Sequence, residues 1–211
     1  MKIVYLKSVD STQLYLKKLL QEKKINGSYA VVSDMQTNGV GSRENEWKGL
    51  EGNLFLSFCI PLSELPSDLE LASASIYFSY LLKEVLEESG SKVWLKWPND
   101  FYLEDKKIGG MITNVVGETL VCGVGLNLRN APEHFSILDI EISRDKIVEK
   151  YSHNIEKKIL WKQVFSKYKL KFHLNKNFNT HTKNKIIRLS EATLEDDGSL
   201  RINGERIYSL R

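Results

Sequence analysis

No apolar run in this sequence approaches the ~18 residues needed to cross a bilayer. The first apolar stretch, Ile3-Val4-Tyr5-Leu6, is too short for a secretory leader and reads as a strand. There are only two cysteines, Cys59 and Cys122, far apart and each inside an apolar run. They read as buried free thiols rather than a disulfide or a metal pair, and a cytoplasmic location follows. Histidine is scarce too: His134, His153, His173 and His181 all lie outside the motif clusters, and no Ser-His-Asp or Cys-His set can be assembled. Internal repeats and low-complexity segments are missing.

A strong net charge is also lacking, since the whole chain carries only +3. The charge is uneven, however: residues 144–188 hold thirteen Lys or Arg against three Asp or Glu, whereas residues 1–143 are net negative. Such a segment could meet nucleic acid or an acidic protein. Aromatics are not interleaved there in a groove-like pattern, so the solvated face of a long helix is the plainer reading, and no specific DNA binding is expected.

What is present fits one globular core, or one domain with a small addition: 211 residues, 42% hydrophobic and 27% charged. Residues 2–6 predict a strand. Leu16, Leu19 and Leu20 predict a helix that Ser11 or Thr12 would cap. Tyr29 to Ser33 predicts a second strand, and Gln36 to Gly52 a long functional loop. Asn53 to Ile60 predicts a strand ended by Pro61. Ala72, Ile76, Leu81, Val85 and Leu86 set a helix over residues 69–88. Val93 to Lys96 reads as a strand broken by Pro98. Residues 108–116 and 119–124 form a hairpin through Gly117-Glu118. Helices fill much of 144–173. Asp197-Gly198 and Asn203-Gly204 are hairpin signals in the tail. Strands mixed with helices, without regular βαβ alternation, predict an α+β fold.

Four clusters could carry chemistry. Gly39-Val40-Gly41 follows a strand and lets backbone N–H groups approach an anion, although a plain loop also explains a lone Gly-x-Gly. Lys96-Trp97-Pro98-Asn99-Asp100 delivers a cation, an amide and a carboxylate at a sharp turn, with Lys107-Ile108-Gly109-Gly110 following. Asn suits the edge of a base, Asp can hold hydrated Mg²⁺ near phosphates, and Lys107 can neutralise a carboxylate or phosphate. Gly123-Val124-Gly125-Leu126-Asn127 ends a strand in small residues, against which a flat ligand could lie; a β-bulge explains it equally well. Asp10-Ser11-Thr12 is a helix cap that also offers hydroxyls and N–H groups to a polar ligand.

In order along the chain these clusters, with Gln36-Thr37, Trp47 and Gly52-Asn53-Leu54-Phe55-Leu56-Ser57, resemble the biotin protein ligase family over roughly residues 1–130. Lys-Trp-Pro-Asn-Asp with the following Lys-Ile-Gly-Gly is the specific part. The resemblance implies a synthetase-like catalytic domain over residues 1–180: a mixed sheet packed on helices. It implies a small SH3-like β-domain over residues 184–211. It implies that ATP, with Mg²⁺, activates biotin to biotinyl-5′-AMP, and that biotin is then transferred to a lysine of the biotin carboxyl carrier protein of acetyl-CoA carboxylase. Ser11, Thr12, Gln36, Gly39 and Val40 would line the biotin pocket, and Lys107 and Gly110 would meet its carboxyl group. Asn99, Asn127, Trp47, Arg43 and Gly41 would hold the nucleotide. Asp100 would serve Mg·ATP indirectly, and Lys96 and Arg43 would add positive charge. The resemblance also allows a homodimer through the sheet edge.

One departure stands out. The family's loop usually reads Gly-Arg-Gly-Arg-x-Gly-Arg-x-Trp; here positions 40, 42 and 45 carry Val40, Ser42 and Asn45, and only Arg43 remains. A weaker grip on ATP, or readier release of the adenylate, is expected. Three alternatives stay open: a lipoate or octanoate ligase, a non-catalytic biotin sensor or DNA-binding regulator, and a degenerate ligase. Because the first strand begins near Lys2, no N-terminal helix-turn-helix is expected.

Overall fold

The computed structural model describes residues 1–41, 46–181 and 186–208. The alternating apolar residues of the N-terminal 126 residues build a seven-stranded sheet, in the order β1-β2-β5-β9-β8-β7-β6. Its strands are β1 (Lys2–Leu6), β2 (Tyr29–Ser33), β5 (Leu54–Pro61), β6 (Trp94–Lys96), β7 (Asp100–Leu103), β8 (Lys106–Val116) and β9 (Thr119–Leu126). β1 and β2 run parallel, joined by α1 (Thr12–Gln21); all other neighbours are antiparallel. The mixed sheet with packed helices matches the expected α+β class. Among the described residues, no helix is long and apolar enough to cross a membrane.

One face of the sheet is closed. Leu54, Leu56 and Phe58 of β5 and Leu120, Cys122 and Val124 of β9 point into a core roofed by α2 (Ala74–Glu88), α3 (Arg144–Glu156) and α4 (Trp161–Leu170). Phe58 meets Phe78 and Tyr151 edge to face, at centroid distances of 5.2 and 5.7 Å, a favoured arrangement for aromatic quadrupoles. The basic segment is thus two helices rather than one. Lys146, Lys157, Lys162, Lys169 and Lys171 lie on exposed positions, on the packed side of the sheet.

The opposite face is covered over part of its length. Leu16 of α1 packs on Val31, Cys59 and Val121. α1 begins where predicted: Ser11 is its N-cap, and its hydroxyl oxygen accepts from the Leu14 N–H. Beyond α1 the face opens over Ser57, Gly123 and Gly125. There the expected long loop forms a short hairpin of β3 (Gly39–Val40) and β4 (Glu46–Trp47).

The tail forms a ribbon, β10 (Asn179–His181) with β11 (Ile186–Arg188), and a three-stranded sheet of β12 (Thr193–Leu194), β13 (Leu200–Ile202) and β14 (Glu205–Ile207). The two predicted tail turns are there, and Leu189, Ala192, Leu194, Leu200 and Ile202 of these small C-terminal strands pack in the same apolar cluster as α2 and β5.

Candidate functional site

The open end of the sheet is a cavity of about 470 Å³ including its mouth. Its floor is Ser57, Gly123, Val124 and Gly125; Ser11, Thr12, Gln13 and Gln36 stand on one side, Val40, Gly41 and Trp47 on another, and Asp100, Lys107 and Gly110 on a third. Five separate stretches of sequence therefore converge on one place. The parallel β1-α1-β2 unit brings the helix start beside Gln36, and the antiparallel β7-β8 pair brings Asp100 opposite Gly110.

Hydrogen-bond geometry fixes several proton positions. The Thr12 N–H donates to Gln36 Oε1 at 2.7 Å, which identifies the oxygen end of that amide. Since Oε1 only accepts, the Thr12 hydroxyl 3.0 Å away also donates to it. Thr12 has a single hydroxyl proton, so Ser57 Oγ, 2.8 Å from Thr12 Oγ1, is the donor in that pair. The cavity is left with the Gln36 amide nitrogen and the Ser11 hydroxyl as donors, and with Ser57 lone pairs as acceptors. These groups are buried: Ser11, Thr12 and Ser57 expose 3% or less.

At the other side Lys107 Nζ donates to Asp100 Oδ1 at 2.7 Å, and both side chains are largely covered. Lys96 lies over the Tyr102 ring, 5.4 Å from its centroid, and is not among the cavity-lining residues. Burial, and then the Asp100 charge, push the Tyr102 phenol up to about 12. It stays neutral and serves as an aromatic surface.

The expected residues fall into three groups. Ser11, Thr12, Gln36, Val40, Gly41, Trp47, Asp100, Lys107 and Gly110 line the cavity. Gly39, Lys96, Asn99 and Asn127 stand behind its wall. Asn127 donates to the Ser136 carbonyl at 3.2 Å. Asn99 donates to the Met111 carbonyl, leaving its buried Oδ1 without a partner. Gly39 pairs with Trp47. Arg43 lies outside the described residues, as do Ser42 and Asn45 of the altered loop. The Trp47 indole lies flat on β9: a Cβ on Gly125 would run into it, so that position must be glycine for the ring to rest there. The ring also meets Phe135 edge to face at 6.5 Å.

Gln13 escaped the sequence reading. It is 4% exposed and lines the cavity. A signal was there: Gln13, Leu16 and Leu20 share the spacing of one helix face, so a polar residue is placed on the buried stripe. Asn53 was read only as the start of a strand. Its Oδ1 accepts from the N–H groups of Leu128, Arg129 and Asn130 at 2.9, 3.0 and 3.2 Å, holding the turn that follows β9. The Trp97 indole N–H donates to the Gly198 carbonyl at 2.8 Å, and the Trp97 backbone N–H to Asn175 Oδ1 at 2.6 Å. The Lys96–Asp100 turn is therefore braced by the tail.

Residues 5–128 match the model of the biotin/lipoate A/B protein ligase family. The bifunctional ligase/repressor BirA of Escherichia coli K12 is 33% identical over 133 residues, covering 60% of this chain and 40% of BirA, so the match spans well under half of that relative. The crystal structure of biotin acetyl coenzyme A carboxylase synthetase from Helicobacter pylori with bound biotinylated ATP superposes with a TM-score of 0.93 at 38% identity, over 98% of this chain and 99% of that one. The biotin protein ligase of Aquifex aeolicus, in complex with biotin and ATP, superposes with a TM-score of 0.77 at 25% identity, over 100% and 96%. With more than half of its length inside the family model, and with this architecture around the cavity, the chain belongs to the biotin/lipoate A/B protein ligase family.

Proposed function

We propose that this protein is a biotin protein ligase: it activates biotin with ATP to biotinyl-5′-AMP and transfers the biotinyl group to a lysine of a biotin carboxyl carrier protein. The observation that carries this reading is the polarity of the cavity. One side offers two donors, the buried Ser11 hydroxyl and the half-buried Gln36 amide nitrogen, beside a buried acceptor, Ser57. A ureido ring has the complementary set: a carbonyl that accepts twice and N–H groups that donate. The other side offers the Lys107 ammonium, a fitting partner for biotin's carboxylate. A lipoyl dithiolane ring has neither an N–H nor a carbonyl to match the first side.

The biotin carboxylate attacks the α-phosphorus of ATP and pyrophosphate leaves. The carrier lysine amine then attacks the carbonyl carbon of the mixed anhydride, AMP leaves, and the amine gives up a proton. No covalent enzyme intermediate is required, so positioning and charge carry the rate. Lys107, already oriented by Asp100, neutralises the carboxylate as it nears the phosphate. Mg²⁺ would arrive with ATP, and Asp100 would serve it indirectly, through water retained on the ion. Trp47 and Gly41 border the nucleotide end. Of the two asparagines expected at the adenine, Asn99 keeps an unused Oδ1, and Asn127 shapes the wall. Arg43 and Lys96 add positive charge. Replacement of the usual loop arginines by Val40, Ser42 and Asn45 favours weak ATP retention. The unpaired buried thiols Cys59 and Cys122 fit the reducing cytoplasm.

The test is ATP-dependent transfer of biotin to a biotin carboxyl carrier domain, with lipoate as the competing acid and Lys107→Ala as the control. Transfer of biotin alone, reduced at least about 100-fold in the variant, supports the reading. Transfer of lipoate instead, or none at all, refutes it.

A further inference from the structure

Among the described residues lining the cavity, Gln13 is a buried side chain whose polar capacity is left open. It sits in the first turn of α1, 96% buried, with Nε2 donating to Asn114 Oδ1 of β8 at 3.0 Å. Its Oε1 has no partner. A buried, unpaired amide oxygen is costly, and such atoms are rare unless something binds to them. This one is aimed into the cavity: a Cβ built on Gly123, on the floor, would stand 2.8 Å from Gln13 Oε1 and 3.2 Å from Ser57 Oγ. Glycine at 123 lets the carbonyl end of Gln13 lie over the strand beside the Ser57 acceptor. The cavity thus sets two acceptors side by side, with the Gln36 and Ser11 donors lining the same enclosure.

Building on the ligase reading above, we propose that Gln13 is a specificity-determining residue: its Oε1 accepts a hydrogen bond from a ring N–H of the bound acid, and Asn114 sets the direction of the Gln13 amide. The first clause follows from the unpaired acceptor, the second from the Asn114 contact. An amide turned the other way would present a donor to the ring N–H and repel it. A pocket built to pair a substrate N–H discriminates strongly against an analogue without it, because the enclosed acceptor is then left unpaired. Gln13 therefore selects for a cyclic urea and against ring systems that carry no N–H, among them the cyclic disulfide of lipoate.

The experiment is titration calorimetry of the full-length protein with biotin and with two lactam analogues, each having one ring N–H replaced by CH₂. The unchanged protein is expected to bind one lactam about tenfold more weakly than biotin through loss of the Gln13 contact. Gln13→Met should bind biotin about tenfold more weakly, and should show no further loss with that same lactam. Asn114→Asp, which can only accept and so holds Gln13 Nε2, should keep the discrimination, and Asn114→Leu should blunt it. Gln13→Glu keeps an acceptor in place and serves if Gln13→Met does not fold; it too should keep the preference for biotin over that lactam. Equal weakening of biotin and both lactams in Gln13→Met, or no weakening of any, overturns the proposal while leaving the ligase reading intact. Failure of the unchanged protein to bind biotin overturns both.

Discussion

The two faces of the central sheet are written by alternate residues of the same strands. Along β5, Leu54, Leu56 and Phe58 point to one side, and Ser57 to the other; along β9, Leu120, Cys122 and Val124 point one way, and Gly123 and Gly125 the other. Both strands are paired on both sides. Only the side chains differ, and the period of two lets eight residues encode a core and a binding floor at once. On the closed side the alternation is apolar without a break and three helices cover it. On the open side glycine and serine keep the floor low, and a helix start, a hairpin and the Lys107–Asp100 pair stand around it.

This contrast is broken most strongly from the closed side. Phe58→Ala removes a fully enclosed ring held between Phe78 and Tyr151, and should lower the unfolding free energy by about 3–5 kcal/mol in a denaturant titration. Biotin affinity of the folded fraction should change less than about twofold, since a binding change needs an altered cavity and the lost ring faces away from it. An affinity change as large as the stability change would show that the two faces are one unit. From the open side, Gly125→Ala should have the reverse profile. Its methyl group displaces the Trp47 indole, so ATP binding should weaken about tenfold while the thermal midpoint moves only slightly. The smallest effect belongs to the thiols beneath both faces. Burial pushes Cys59 up to about 11 and raises Cys122 well above the usual thiol range, so at pH 8 neither supplies a thiolate. A disulfide reagent added to the folded protein should modify no thiol over an hour, and should modify both in denaturant. Fast reaction in the folded state would mean that the sheet opens locally.

Much of this was legible in the sequence because the signals are local. The Ser11 cap, the Gly117-Glu118 turn and the Asp197-Gly198 and Asn203-Gly204 turns all stand where backbone chemistry puts them, and the Lys-Trp-Pro-Asn-Asp element marks one wall of the site. The β7 strand was hidden because Asp100 to Leu103 is short, follows a turn and lacks clean alternation. Nothing local in the tail reveals that Leu189, Leu194 and Leu200 pack in the same apolar cluster as α2. Asn127 and Asn99 were read as base-reading amides, and sequence could not tell that one of them already serves the Ser136 carbonyl. Gln13 was overlooked because its importance lies in a partner it does not have, which only the packed structure exposes.

The clasp between Trp97 and Gly198 joins residues 101 positions apart. A growing polypeptide releases the Lys96–Asp100 turn from the ribosome long before the segment that braces it has been made. The reactive turn is therefore among the last parts of the molecule to reach working order during synthesis. Stalled nascent chains ending ahead of Gly198 should remain inert, and those extended past Ile207 and clear of the exit tunnel should acquire activity together with the clasp.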